Sequence, residues 1–195
     1  MARTTPLWVF GYGSLMWDPG FEHLSCRIAD LAGYRRGFSM WSLHYRGTPG
    51  APGLVLALEP APGASCRGVA FEVAEDATDT TIAYLRAREL ISYAYREVTV
   101  PVMLEDGRRV RALAFVVDRE HPQYSGALSP GEQAAIIARA GGQRGTNAEY
   151  LANTARQLRE LGIDDPEIFA LERQVAGLCR DLKQEAGHGR ADGPV

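Results

Sequence analysis

Strand-like and helical patterns are segregated along this 195-residue chain, and their order restricts its fold more than any single motif. Short β-branched and aromatic runs occur at residues 7–12, 37–43, 54–58, 68–73, 96–104 and 109–117. One helical pattern, over residues 78–93, interrupts them. The last third carries three helix starts. Ser129-Pro130-Gly131-Glu132 has the cap, proline and acid of a helix running to about Ala140, and Asn147 reads as the N-cap of a second helix ending at Leu161. Asp165-Pro166 opens a third that runs to about Lys183. Strands and helices do not alternate, so the expected class is α+β, with a small mixed β-barrel-like sheet and helices around it, rather than a doubly wound sheet. Asp106-Gly107 between two β-rich runs predicts a hairpin. Residues 1–184 read as one domain and 185–195 as a flexible tail.

Composition narrows the function class. A net charge of −3 with no dense basic run argues against nucleic acid as a partner. No window approaches the ~18 apolar residues of a membrane span, and Met1-Ala2-Arg3 opens no secretory signal. Cys26, Cys66 and Cys179 are odd in number and lack C-x-x-C spacing, which points to reduced thiols, no disulfide framework and no zinc site. The expectation is a soluble cytoplasmic protein.

Four features could carry chemistry. On a helix over residues 78–93, Ile82, Leu85, Glu89 and Tyr93 share one face. A carboxylate in an apolar stripe is costly to bury, so its pKa rises and it suits a general base near neutrality. The same Glu89 could instead be a surface ion-pair partner of Arg86 or Arg88. Second, Gly11-Tyr12-Gly13-Ser14-Leu15 follows a strand, either as a tight turn or as a backbone N–H cradle for an anion. Third, Arg46 in His44-Tyr45-Arg46-Gly47 could grip a carboxylate or be solvated on its loop. Fourth, Tyr150 in a first helical turn could present its hydroxyl to a pocket or serve packing alone. The scattered histidines and the absence of G-x-S-x-G around Ser14 speak against a nucleophilic triad.

Six segments in order resemble one family. They are W-V-F-G-Y-G-S-L at 8–15, H-Y-R-G-T-P at 44–49, P-G-L-V-L-A-L at 52–58, Y-L-x-x-R-E at 84–89, H-P-Q-Y at 121–124 and G-T-N-A-E-Y-L at 145–151. Together they are similar to the ChaC-like γ-glutamylcyclotransferases over residues 8–163. The resemblance implies a compact barrel-like fold, glutathione as substrate, 5-oxoproline and Cys-Gly as products, and no cofactor. It also implies Glu89 as proton acceptor and a substrate-binding stretch of Val9, Phe10, Gly11, Tyr12, Gly13, Ser14 and Leu15, with Arg46 and Tyr150 as further contacts. The family commonly has an acid after Tyr-Leu, where this chain has Arg86, so an Arg86–Glu89 pair that weakens the base is one expectation. Alternatives in view are a cyclotransferase for other γ-glutamyl amines or amino acids, and a silent module that binds a γ-glutamyl metabolite.

Overall fold

A computed structural model describes residues 6–188. The chain divides into two compact units, one built from residues up to 37 with 56–124, the other from 38–55 with residues from 125 onward. Two of the three boundaries fall inside long strands, Ser25–Ser42 and Gly53–Val73.

The first unit holds a closed barrel in the order β1-β3-β2-β4-β5. Its strands are β1 (Leu7–Gly11), β2 (Ser25–Ser42), β3 (Gly53–Val73), β4 (Tyr95–Leu104) and β5 (Arg109–Val117). β1 pairs antiparallel with β3 from Leu7↔Val73 to Gly11↔Val69, and parallel with β5 at Trp8↔Ala112 and Val9↔Leu113. A strand paired on both edges and covered on both faces needs a continuous apolar run, which Trp8-Val9-Phe10 supplies; all three are buried. The β4–β5 hairpin turns at Asp106-Gly107 as expected. Gly107 takes φ +84° there, a left-handed conformation that costs glycine nothing, and Asp106 Oδ1 accepts from the Arg108 N–H at 3.0 Å. Helix α1 (Thr78–Glu89) belongs to this unit and is anchored by fully buried Leu85 and by Thr81.

The second unit contains α2 (Pro130–Arg139), a two-stranded ribbon of β6 (Gly141–Gly142) and β7 (Gly145–Thr146), α3 (Asn147–Glu160) and α4 (Pro166–His188). The three helices pack on one another through Ile137, Leu151, Ala155, Leu158, Ile168, Leu171 and Val175. α2 opens with the expected capping box between Ser129 and Glu132. No helix among the described residues is long and apolar enough to cross a membrane.

The α+β class and barrel sheet match expectation, and several boundaries do not. β3 is one strand where two were expected at 54–58 and 68–73. Pro60, Pro62 and Gly63 lie in its exposed stretch, where a missing N–H costs little. β2 starts at Ser25, well before 37. The N-cap of α3 is Thr146, whose hydroxyl accepts from the Glu149 N–H at 3.1 Å, rather than Asn147. Helix α4 continues through His188, beyond Lys183. Residues 189–195 of the expected tail lie outside the described residues.

Candidate active site

Glu89 is the last residue of α1. The N–H of Leu90 closes the helix on the Arg86 carbonyl at 3.0 Å, and the chain then leaves helical geometry. Ile91-Ser92-Tyr93, poor helix formers, make the turn into β4, so Tyr93 does not extend the expected apolar face. It is exposed and takes φ +55°. Ile82 and Leu85 do share the buried side of α1 with Glu89, whose side chain is 19% exposed.

Burial pushes the Glu89 carboxyl above the usual carboxylate range, and the neighbouring Arg88 guanidinium partly offsets that rise. Its place at a helix C-terminus, the negative end of the macrodipole, acts in the same direction as burial. Arg86 is not its partner. Arg86 donates through Nε and Nη2 to the two carboxylate oxygens of Glu97 on β4, at 2.6 and 2.8 Å. The ion pair of Glu89 is with Arg88, Nε to Oε1 at 3.1 Å.

Arg88 also ties Glu89 to the loop after β1. Its Nη2 donates to Ser14 Oγ at 3.1 Å, and its Nη1 to the Asp18 carbonyl at 2.7 Å and to the Tyr84 hydroxyl at 3.0 Å. The loop itself is a single 3-10 turn over Ser14–Met16, closed by the Met16 N–H on the Gly13 carbonyl at 2.9 Å. Among the described residues, no group accepts from the N–H of Gly13, Ser14 or Leu15. Space fixes the residue choice here. A Cβ on Gly11 would lie 3.1 Å from Leu15 Cβ, and one on Gly68 only 2.4 Å from the Gly11 carbonyl oxygen.

From below, Arg36 braces the same loop. It is 6% exposed, donates through Nη1 to the Tyr12 carbonyl at 2.8 Å, and through Nη2 to the Arg67 carbonyl. Sequence reading missed Arg36. The signal was its parity, because Arg36, Phe38 and Met40 are alternate residues of β2 and all are buried. Tyr124, at the end of H-P-Q-Y, donates to the buried Glu59 at 3.0 Å, and Arg119 adds a second donor at 3.2 Å.

The structure therefore brings Glu89 and Ser14 together through Arg88, with Tyr12, Gly13 and Leu15 in the same loop and Gly11 at the end of β1 that feeds it. Val9 and Phe10 are sheet-paired core residues with no side-chain exposure. Arg46 and Tyr150 belong to the second unit. Arg46 Nη1 donates to the carbonyls of Arg144 and Thr146, and the guanidinium stacks 5.2 Å from the Tyr150 ring centroid. Phe38 meets Tyr150 edge-on at 5.8 Å.

The family model for ChaC-like proteins matches residues 7–178. A glutathione-specific γ-glutamylcyclotransferase of Escherichia coli K12 is 38% identical over 176 residues, spanning 90% of this chain and 75% of that protein. Glutathione-specific γ-glutamylcyclotransferase 1 of Danio rerio is 32% identical over 186 residues, 93% and 95% of the two chains. Among solved structures, a yeast γ-glutamylcyclotransferase specific to glutathione aligns with a TM-score of 0.80 at 23% identity, covering 90% of this chain and all of that one. This likeness carries the fold. Taken with the matched residues and the two relatives, it places the chain in the ChaC-like family.

Proposed function

We propose that this chain is a γ-glutamylcyclotransferase acting on glutathione, with Glu89 as the general base. The supporting observation is one carboxylate, half-buried at a helix end and raised in pKa, joined by Arg88 to a loop with unclaimed N–H groups. The relatives' names supply the substrate.

The reaction is intramolecular. Glu89 takes a proton from the α-ammonium of the γ-glutamyl group, which is not nucleophilic until it is neutral. The amine nitrogen then attacks the γ-carbonyl carbon and closes a five-membered lactam. The tetrahedral intermediate collapses by breaking the bond to the cysteinyl nitrogen: protonated Glu89 gives its proton to that nitrogen, and the second proton shed by the ring nitrogen completes the ammonium of the departing Cys-Gly. The products are 5-oxoproline and Cys-Gly, and no water is consumed. A carboxyl raised toward neutrality both accepts and returns a proton more readily than an ordinary one. The N–H groups at Gly13–Leu15 suit the substrate's α-carboxylate or the developing oxyanion. Holding amine and carbonyl together supplies rate through orientation. No step calls for a metal or organic cofactor, and the three cysteines suit a reducing cytoplasm.

Incubating the protein with glutathione and scoring both products is the direct test. Release of 5-oxoproline with stoichiometric Cys-Gly supports the reading. Tight binding of glutathione without turnover supports a silent binding module instead. Faster turnover of other γ-glutamyl amines would move the substrate class.

A further inference from the structure

We propose that Arg88 is a positioning residue for this reaction: its guanidinium holds the Glu89 carboxylate and the Ser14–Pro19 segment in one fixed arrangement. The proposal rests on Glu89 being the base. Its geometry is that of one planar fork spending its donors in different directions. Nε faces Glu89 Oε1 at 3.1 Å, Nη2 faces Ser14 Oγ at 3.1 Å, and Nη1 is shared among the Asp18 carbonyl at 2.7 Å, the Pro19 carbonyl at 3.4 Å and the Tyr84 hydroxyl at 3.0 Å. The side chain is 22% exposed, so the contacts are partly shielded from water. Lysine has neither the reach in several directions nor the planarity to replace it.

The consequence is twofold. The distance between base and loop is set by one side chain anchored on the helix that ends in the base. That cation also opposes the rise in pKa that burial imposes on Glu89. Among the described residues, Arg88 is the cation that faces Glu89. Arg86 is committed to Glu97 of β4, and Asp18 turns its carbonyl, not its carboxylate, toward Arg88. A residue that merely clipped the loop in place would affect stability and overall rate, but not the pH at which the base gains its proton.

The test is the pH profile of kcat/KM for 5-oxoproline release from glutathione by wild type, Arg88→Met, Arg88→Lys and Glu89→Gln. Without the cation the base holds its proton to higher pH. The acidic limb of Arg88→Met should therefore move up by about one pH unit or more. Arg88→Lys keeps a charge but not the fork, so its limb should stay near that of wild type while kcat/KM falls roughly tenfold to a hundredfold at every pH. Should Arg88→Met not fold, Arg88→Gln carries the same expectation for the limb. A folded Arg88→Met or Arg88→Gln protein with the wild-type limb overturns the proposal. Wild-type turnover by Glu89→Gln would instead remove the base assignment on which it rests, so the two failures are distinct.

Discussion

Arg86 grips Glu97 through two donors, at 2.6 and 2.8 Å, and so leaves Glu89 at the end of α1 to Arg88. Arg86 thus joins α1 to β4. Arg86 is more than half exposed, so its ion pair is open to solvent and salt. Arg86→Ala should leave the acidic limb of the pH–rate profile where it is and alter stability little. A limb displaced in Arg86→Ala would show that Arg86 acts on Glu89 after all.

The loop offers a graded test. A Cβ at Gly13 would meet Leu56 Cδ1 at 3.5 Å, ordinary contact, so Gly13→Ala should bind 5-oxoproline almost as wild type does. Gly13→Val adds branched methyls against Leu56 and should push the loop out of register, weakening binding in calorimetry. Unchanged affinity in a folded Gly13→Val protein would mean that the segment is only a turn.

Asn147 illustrates what the sequence concealed. Asparagine before a helical pattern reads as an N-cap, but Thr146 takes that role. The buried Asn147 side chain instead accepts from the Leu54 N–H at 2.6 Å and donates to the Leu54 carbonyl at 2.7 Å. Asn147→Ala strands both backbone groups and should cost roughly 2–4 kcal/mol in urea unfolding. A loss under half a kcal/mol would contradict this role.

Arg46 was expected to meet a substrate carboxylate, and its guanidinium already serves the Arg144 and Thr146 carbonyls and the Tyr150 ring. If it also recognises the glycyl carboxylate, Arg46→Ala should raise KM for glutathione and spare γ-glutamylalanine. An equal rise for both substrates would mark Arg46 as a brace for residues 144–150.

Local chemistry was legible where one short stretch decides the outcome. Gly107 had to be glycine at its turn, and the capping box at Ser129 and Glu132 is complete within four residues. Glu89 stood out because a carboxylate on an apolar helical face is rare. What the sequence hid was decided by partners distant along the chain. The exposed stretch of β3 reads as loop because proline usually ends strands, yet solvent on its faces permits the pairing to continue. Helical spacing points to Arg86, three residues before Glu89, ahead of the adjacent Arg88, but Glu97 on β4 draws Arg86 away and Arg88 is the partner.

The base assignment also has a thermodynamic signature. The folded-state pKa of Glu89 is raised, so between the unfolded and folded values the folded protein binds the extra proton. The stability this provides is present at low pH and is lost as pH rises through the folded pKa. Glu89→Gln removes the ionisation, so at pH 7 it should be as stable as wild type or more so. Destabilisation at pH 7 would point instead to a structural ion pair with Arg88.

Turnover of glutathione by Glu89→Gln tests the account most directly. Glutamine keeps the shape of the side chain but cannot take the ammonium proton. Release of 5-oxoproline should fall by at least ~10²–10⁴-fold, the usual contribution of a general base, while glutathione still binds. A folded Glu89→Gln protein releasing 5-oxoproline at the wild-type rate would contradict the mechanism.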